Sequence, residues 1–556
     1  MRRLLGLLIA LAAACTTPLP EPAAEGTLFS GGTIYLGHPE WRATDALFVR
    51  KGRVVAVGAE ARALASQAGA QRIDLRGGFA VPGLEDAHGH LEGLGKALET
   101  VDLRGCASYD ELIERVAAQA DRQAPGTWIE GRGWDQNLWP DKAFPHHARL
   151  SSRVGEHPVL LRRVDGHAAL ANRAALTAAG LDGARDVPGG EVLLDGDGKP
   201  TGVLIDAAMG LVGAVVPDPD PATRERRLLA AQDACLAAGL TAVHDMGVDR
   251  WTVETLERLV AEGTWRLRVG LYLSAGAGTT REDLEGFPRA PDVGDVLWVP
   301  GVKLYVDGAL GSRGAALLED YSDRPGSRGL LLMQPEDLAR QIGLCAELGL
   351  QPAVHAIGDR GNRIVLDAFE VGLEAGGFGG LRPRVEHAQV VAPEDWARFD
   401  ALDVVASMQP THCTSDMGWA VERLGEERAL GAYAWRRLQV DPARIAGGSD
   451  FPVESVDPLL GLYAARTRQD AEGRPAGGFF GDQVLSPEEA LALFTLGAAA
   501  AVGQEDRRGR LDPGFRADLT VLDVDPLRGE ARALLDAGVL YTVINGRVVQ
   551  RGRSRR

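Results

Sequence analysis

The feature that most constrains the fold is an alternation of short apolar segments with helical patterns. Eight segments have the length and composition of buried strands, and most are separated by stretches such as PEDLARQIGLCAELG and GNRIVLDAFEVGLEAG. Such alternation predicts βα units and a parallel sheet, and eight strands fit a (β/α)8 barrel of the α/β class. The predicted strands are Phe79–Leu84, Leu240–His244, Leu267–Leu273, Val302–Val306, Pro352–His355, Arg384–His387, Val404–Gln409 and Arg444–Ala446.

The 556 residues leave room for two additions to a barrel at 83–508. Residues 27–82 and 509–552 have the pattern of short strands and turns. Because chain ends often meet in space, we expect them to form one small β-sandwich, with two independent end pieces as the alternative. The gap between the first two predicted strands is too long for one helix, so we predict an inserted subdomain at about 101–230, including the hairpin-like segment GGEVLLDGDGKPTGVLID.

The N-terminus predicts export. Arg2 and Arg3 precede the apolar run Leu4–Ala14, which is too short to span a bilayer of about 30 Å. With small residues directly before Cys15, residues 1–15 resemble a bacterial lipoprotein signal, which implies lipidation of Cys15 and a Pro-rich tether at 16–26. An ordinary secretory signal is the alternative. We therefore expect a cell-envelope protein, lipid-anchored or periplasmic, that contacts membrane only through the anchor.

Charge and cysteine content exclude other classes. The net charge of −17 and the absence of a basic patch, apart from the last few residues, argue against a nucleic-acid partner. Four cysteines remain after the signal, and none has disulfide-framework or zinc-finger spacing. These patterns do not predict the oligomeric state.

Titratable residues lie at the carboxyl ends of five predicted strands, which is where a barrel builds its active site. Taken singly, each residue also has a structural interpretation, such as a buried histidine or a turn aspartate. His88 and His90 point to one face of a strand, as zinc ligands would. A lysine within the apolar strand VKLYV needs a reason to be buried. One explanation is an ion pair with Asp307, and the other is chemical modification or proximity to a metal. Together the residues predict a metal centre; they are His88, His90, Lys303, His355, His387 and Asp450.

The ordered motifs resemble those of metal-dependent amidohydrolases, specifically the amidohydrolase family 3 branch. The resemblance covers nearly the whole mature chain and rests on VPGLEDAHGH, RVDGHAALANRAAL, GLTAVHDMG, VKLYVDGALGSRGA, VHAIGDRGN, RVEHAQ, SMQPTH, AGGSDFPVES and RLDPGFRADLTVLD. It implies a (β/α)8 barrel with a small β-sandwich built from both chain ends.

The resemblance also implies a ligand set. His88, His90 and Asp450 would hold one divalent metal, and His355 and His387 a second. Lys303 would bridge the two as an N-carboxylated lysine (N6-carboxylysine), because a carbamate is an anionic oxygen donor whereas an ammonium is a poor ligand. Two zinc ions are the expected cofactor, with Mn, Fe, Co or Ni as alternatives.

The predicted activity is hydrolysis of amide-type C–N bonds in a small molecule, other than peptide backbone in general. A metal-bridging hydroxide would attack the carbonyl, and Asp450 would act as general base and then general acid. Alternatives on the same site are an esterase, a cyclic amidase or a deaminase. From another class, the alternative is a non-catalytic binding or regulatory lipoprotein of the envelope.

Five further residues are candidates for substrate contact. His167 lies in the predicted insertion, His244 ends a predicted strand, and His412 follows another. Arg313 could bind a carbonyl or carboxylate, with a surface ion pair as its alternative, and Trp134 could line an apolar pocket.

Overall fold

The structure is a computed structural model that describes residues 26–163, 168–187, 190–286, 296–438 and 441–554. The predicted signal peptide, nearly all of the tether, Cys15 and His167 lie outside the described residues. The chain divides into two units, one comprising Leu91–Asp233 and the other the segments before and after it. None of the helices in the described ranges is long and apolar enough to cross a membrane.

Eight parallel strands, paired in chain order, form a nearly closed barrel in the first unit. An isolated parallel bridge between Gly89 and Phe451 joins the first strand to the segment that follows the eighth. The predicted α/β barrel is therefore confirmed. The barrel strands are β1 (Leu84–Gly89), β2 (Leu240–Val248), β3 (Arg268–Ser274), β4 (Leu297–Tyr305), β5 (Gln351–Ala356), β6 (Arg384–His387), β7 (Val405–Met408) and β8 (Ile445–Gly447).

Helices follow the strands as the sequence pattern indicates. The helix Pro335–Leu348 begins with proline, which needs no hydrogen-bond partner at that position, and ends at Gly349 with a left-handed φ of 63°. Its apolar face is buried through residues such as Leu338 and Ile342. The other helices of this unit after β2 are Arg250–Ala261, Arg281–Glu285, Asp359–Glu374, Trp396–Ala401, Pro410–Asp416, Ala420–Leu424, Glu426–Ala429, Trp435–Leu438, Pro458–Thr467, Pro487–Ala492 and Ala498–Ala500, with short 3-10 turns at Pro393–Asp395, Pro442–Arg444 and Gly481–Gln483 and a π-helical turn at Leu493–Gly497.

The first predicted strand, Phe79–Leu84, is in fact parts of two strands in different sheets. Phe79–Pro82 pairs with Leu519–Leu522 in the sheet formed by the chain ends, whereas Leu84 begins β1. The chain changes sheet at Gly83, where a Cβ would lie only 2.3 Å from Thr241 Oγ1. The dipeptide Pro82-Gly83 stands at the boundary and is an ordinary signal for a break, which the prediction of one continuous strand passed over.

Strands from both ends of the chain join in one eight-stranded sheet. Their apolar side chains share a core in which Phe29 and Leu47, from the first end, pack with Val521 and Tyr541, from the second. The strands are Thr27–Tyr35, Ala43–Arg50, Arg53–Val57, Gln71–Asp74, Phe79–Pro82, Leu519–Leu522, Val539–Ile544 and Arg547–Arg551, accompanied by the helix Gly58–Ala68 and the 3-10 turn Ala531–Asp536.

The second unit, Leu91–Asp233, has its own six-stranded sheet and two apolar cores. The predicted hairpin is present as an antiparallel pair, Gly190–Leu194 with Pro200–Asp206. The unit extends on both sides of the predicted 101–230. Its other strands are Val101–Asp102, Ile129–Trp134, Val159–Arg163 and Ala168–Ala171; its helices are Leu91–Glu99, Tyr109–Ala120, Ala148–Arg153, Arg173–Ala178 and Met209–Gly213, with a 3-10 turn at Gln136–Leu138, and Pro221–Ala237 runs out of it.

Candidate metal centre

The six predicted ligands all lie at the carboxyl end of the barrel. His88 and His90 are at the end of β1, and Lys303 lies two residues before the last residue of β4. His355 and His387 lie within the last two residues of β5 and β6, and Asp450 follows β8 closely. Because parallel strands of a barrel present these ends on one face, residues from five strands can share one site.

Asp450 and the histidines form one contiguous cluster. Asp450 Oδ1 lies 3.0 Å from His90 Nε2 and 3.5 Å from His88 Nε2. The ring of His387 is 4.8 Å from that of His88 and 4.5 Å from that of His355, measured between centroids. The candidate ligand atoms of His88, His90 and Asp450 all lie within 4.8 Å of one another, as a shared metal ion requires.

Lys303 is buried, and its Nζ has no hydrogen-bond partner among the residues that the structure describes. The Nζ lies 4.9 Å from the centroid of the Tyr305 ring. Asp307, the ion-pair partner considered from the sequence, instead accepts hydrogen bonds from the backbone of Ala316, Ile357 and Gly358. Burial lowers the pKa of Lys303 to about 8, so an appreciable fraction of this amine is neutral and nucleophilic near neutral pH.

Burial also keeps the central histidines neutral, which is the form that binds metal. It lowers the pKa of His88 to about 4 and that of His355 to about 3, and it lowers the pKa of His387 strongly. Burial alone would raise the pKa of Asp450, but the hydrogen bond to His90 and the nearby imidazoles lower it below its usual range. The cluster thus offers neutral nitrogen donors at His88, His355 and His387 and an ionised carboxylate at Asp450. Burial alone would lower the pKa of His90, but its hydrogen bond to Asp450 raises it.

Three of the imidazoles are oriented by hydrogen bonds at Nδ1. His88 Nδ1 lies 2.6 Å from Glu386 Oε2, and His387 Nδ1 lies 2.8 Å from Gln409 Oε1. His90 Nδ1 lies 2.8 Å from the backbone oxygen of Met246. Because all three partners are oxygen acceptors, each Nδ1 donates its proton. The Nε2 lone pairs of His88 and His387 are then left for a metal, and a metal at His90 would displace the proton that its Nε2 shares with Asp450. Glu386 and Gln409 were not predicted, although Glu386 is visible in the motif RVEHAQ as a carboxylate in a buried strand.

The backbone at the site is strained and closely packed. His387 and Asp450 have left-handed φ values of 74° and 58°, which are unfavourable for residues with a side chain. At Gly448 a Cβ would lie 2.7 Å from the backbone nitrogen of His88. Asp86 accepts hydrogen bonds from the backbone nitrogens of His88 and Ser449, and so ties the end of β1 to the segment after β8.

Of the predicted substrate contacts, His412 lies at the cluster. Its Nε2 is 3.8 Å from Asp450 Oδ2, and its ring stacks on His387 with centroids 5.9 Å apart. His387, His412 and Asp450 form a second group whose candidate ligand atoms lie within 4.8 Å of one another. His412 therefore faces one oxygen of Asp450, while His88 and His90 face the other.

The remaining candidates have structural partners. His244 is fully buried, with Nδ1 2.9 Å from an Nη of Arg384. Arg313 forms a two-pronged ion pair with Asp323, which is the alternative considered from the sequence. Trp134 is fully buried in the core of the second unit and donates its indole N–H to the oxygen of Leu161, so it is a core residue there. His167 lies outside the described residues.

The carboxyl ends of this parallel barrel hold buried neutral histidines, an ionised aspartate and a buried lysine whose amine has no hydrogen-bond partner within the described ranges. Such a set fits a divalent-metal site and defines a metal-dependent hydrolase. Comparison with known proteins supports this class. Residues 71–550 match the model of the amidohydrolase family. The chain belongs to this family, and it is an enzyme that hydrolyses carbon–nitrogen bonds.

Individual relatives cover nearly the full chain. YtcJ of Bacillus subtilis (strain 168) is 34% identical over 534 residues, covering 94% of this chain and 99% of that protein. The N-substituted formamide deformylase of Arthrobacter pascens is 28% identical over 521 residues, covering 90% and 94%. The crystal structure of an uncharacterised metal-dependent hydrolase from Pyrococcus horikoshii OT3 has a TM-score of 0.75 and 31% identity, covering 91% and 99%.

Proposed function

We propose that this enzyme hydrolyses the amide bond of small N-acyl or N-formyl amines, using two divalent cations and Asp450 as the proton carrier. The proposal depends on the observation that the two oxygens of the Asp450 carboxylate face different groups. Oδ1 faces the Nε2 atoms of His88 and His90, whereas Oδ2 faces His412. One oxygen can therefore serve the metal centre while the other handles a proton.

The ligands divide into two sets. His88, His90 and Asp450 would hold one cation, His355 and His387 the other, and Lys303 would bridge them after carboxylation. When bound, such cations lower the pKa of a water molecule and polarise a carbonyl oxygen. Zinc is the proposed metal, because neutral imidazole and carboxylate ligands suit it.

Asp450 is proposed to move the proton. Its lowered pKa keeps it ionised before reaction, so it can accept a proton from the attacking water. It then gives that proton to the leaving nitrogen as the C–N bond breaks, which releases a carboxylic acid and an amine. His412, next to Oδ2, is placed to hydrogen-bond the leaving group or the substrate carbonyl.

The substrate class is supported by a relative and tested by a panel. The A. pascens relative is named for N-substituted formamides. Zinc-loaded protein should release amine from N-formyl or N-acyl amines or N-acyl amino acids faster than from dipeptides, measured with an amine-reactive fluorophore. Turnover of esters alone would replace the proposal with an esterase, and no turnover by fully metal-loaded protein would favour a binding lipoprotein.

The proton role is tested by Asp450→Asn. We expect kcat to fall by at least about 10³-fold, because an amide cannot accept and return the proton. Glu427→Gln makes the same chemical change at an exposed carboxylate and should retain wild-type kcat. Activity of Asp450→Asn equal to that of the control would remove Asp450 from the mechanism.

Carboxylation of Lys303 is proposed because its amine is buried and has no hydrogen-bond partner in the described part of the chain. Protein reconstituted with zinc and ¹³C-bicarbonate should give a carbamate carbon signal that disappears in Lys303→Met. Active, metal-loaded protein without that signal would contradict the modification.

We also propose that the chain is exported and anchored to a bacterial envelope membrane through lipidated Cys15. Expressed with its full N-terminus, the protein should partition with membranes, and Cys15→Ser should release it to the soluble envelope fraction. Recovery of the unaltered protein in the soluble fraction would indicate an ordinary secretory signal instead.

A further inference from the structure

The strongest feature outside the ligand set is the fully buried ion pair of Arg384 and Glu386 on β6. Arg384 Nε lies 2.8 Å from Glu386 Oε1, and an Nη lies 3.2 Å from Oε2. A buried charge pair costs more desolvation than it returns unless further hydrogen bonds satisfy it. The remaining contacts of both side chains therefore decide what the pair does.

Arg384 is bonded to four strands besides its own. It donates to the oxygen of Ala87 on β1 and to Ser407 Oγ on β7, at 2.8 and 3.1 Å. It also lies 2.9 Å from His244 Nδ1 on β2 and 2.9 Å from Tyr272 Oη on β3. Because the guanidinium is hydrogen-bonded to partners on several strands, it is fixed in one position. The Glu386 carboxylate, which is bonded to it through both oxygens, is fixed with it.

Glu386 in turn orients one candidate metal ligand, His88. Its Oε2 lies 2.6 Å from His88 Nδ1, so the carboxylate fixes both the ring orientation and the tautomer of His88. A carboxylate partner also makes the imidazole a stronger donor than a neutral partner does.

The His355–His387 half of the centre has a weaker arrangement. His387 Nδ1 is oriented by the neutral amide of Gln409. The carboxylate near His355 is that of Asp307, whose Oδ1 lies 3.6 Å from His355 Nε2, beyond hydrogen-bond distance. The carboxylate of Asp450 faces His88 and His90. The two halves therefore differ in ligand charge and in the group that orients an imidazole, which is a carboxylate behind His88 and a neutral amide behind His387.

We infer that Arg384, acting through Glu386, positions His88 and makes the His88–His90–Asp450 half the tighter of two unequal metal sites. Arg384 and Glu386 are positioning residues, since both are fully buried and act on the metal centre through His88. The inference rests on the metal centre of the proposed function and not on its substrate.

The test is a metal titration without substrate. Metal-free protein is titrated with Co²⁺ against a competing chelator, and the absorption bands of each bound equivalent are recorded. Wild-type protein should bind two equivalents with distinct affinities and spectra. Glu386→Gln keeps the shape but removes the charge, and should weaken the tighter equivalent about 10- to 100-fold and shift its bands. Gln409→Met, the matched variant behind His387, should weaken the other equivalent.

Folding is controlled by a paired variant. Glu386→Gln alone leaves the Arg384 charge buried without its counter-ion, so Arg384→Met combined with Glu386→Gln removes both charges. The paired variant should unfold cooperatively and still lose the tighter binding. Wild-type affinity for the first equivalent in the paired variant, or weakening of the same equivalent by the Glu386 and Gln409 variants, would overturn the inference. Failure of amide hydrolysis would contradict the proposed function and leave this result standing.

Discussion

The interior of the barrel and the core of the second unit are both fully buried, but they are built from opposite kinds of side chain. The second unit packs residues such as Leu112, Val116 and Leu170 around Trp134, whose indole N–H is bonded to a backbone oxygen. The barrel interior instead buries Lys303, Arg384 and Glu386. Apolar packing stabilises a fold directly, whereas buried charges are costly to desolvate and mainly define one geometry. The difference separates the part of the molecule devoted to chemistry from a part devoted to stability.

Metal removal should have the largest effect on activity and little effect on the folded structure. Dialysis against a chelator should lower amide hydrolysis by more than about 10³-fold, because the barrel site loses its electrophile and its activated water. None of the six predicted metal ligands lies in the second unit, so far-ultraviolet circular dichroism should change little. Readdition of zinc restores activity if the effect is specific, and full activity in metal-free protein would contradict the metal centre.

Trp134→Ala should have the reverse effect. Loss of a fully buried tryptophan should reduce the free energy of unfolding by about 3–5 kcal/mol, because the cavity cannot be filled without rearrangement. Denaturant unfolding measures this change. The metal affinity of the folded fraction should remain within about 3-fold of wild type, since the ligands lie in the other unit. A large loss of metal affinity with unchanged stability would give Trp134 a functional role.

The pH dependence of stability should reveal the cost of burying Lys303. Burial lowers its pKa from 10.5 to about 8, so between these values the unfolded chain binds more protons than the folded chain. The metal-free, CO₂-free protein should therefore gain stability as pH rises through this window, and below pH 8 the penalty is fully present. Relative to Lys303→Met the gain should be at most about 3 kcal/mol, measured from denaturant midpoints. Parallel pH profiles for the two proteins would contradict it.

His412→Asn should have the smallest effect. A residue that hydrogen-bonds the substrate beside Asp450 contributes about 10-fold to kcat/KM, or about 1.4 kcal/mol. Steady-state kinetics on the best amide substrate measure this, while both metal equivalents remain bound. Loss of a metal equivalent would instead make His412 a ligand, as its grouping with His387 and Asp450 allows.

Local sequence patterns predicted the fold class, and the six candidate ligands that they indicated lie at one end of the barrel. The period of two along a strand put His88 and His90 on one face, and the alternation of strands with helices put their ends together. The division of the apolar run at Pro82-Gly83 was missed although the dipeptide signals a break. Which sheet each part joins depends on distant segments, because Phe79–Pro82 pairs with Leu519–Leu522 and β1 pairs with β2.

By itself, the sequence determined the barrel and the position of its polar residues at the carboxyl ends of the strands, and it indicated the candidate metal ligands, because each depends on near neighbours in the chain. Only the tertiary structure decided which partner each side chain has. His88 is oriented by Glu386, 298 residues away, Arg313 is paired with Asp323, and Trp134 is sealed in a core. Such pairings depend on packing across strands and helices, and residue spacing does not encode them.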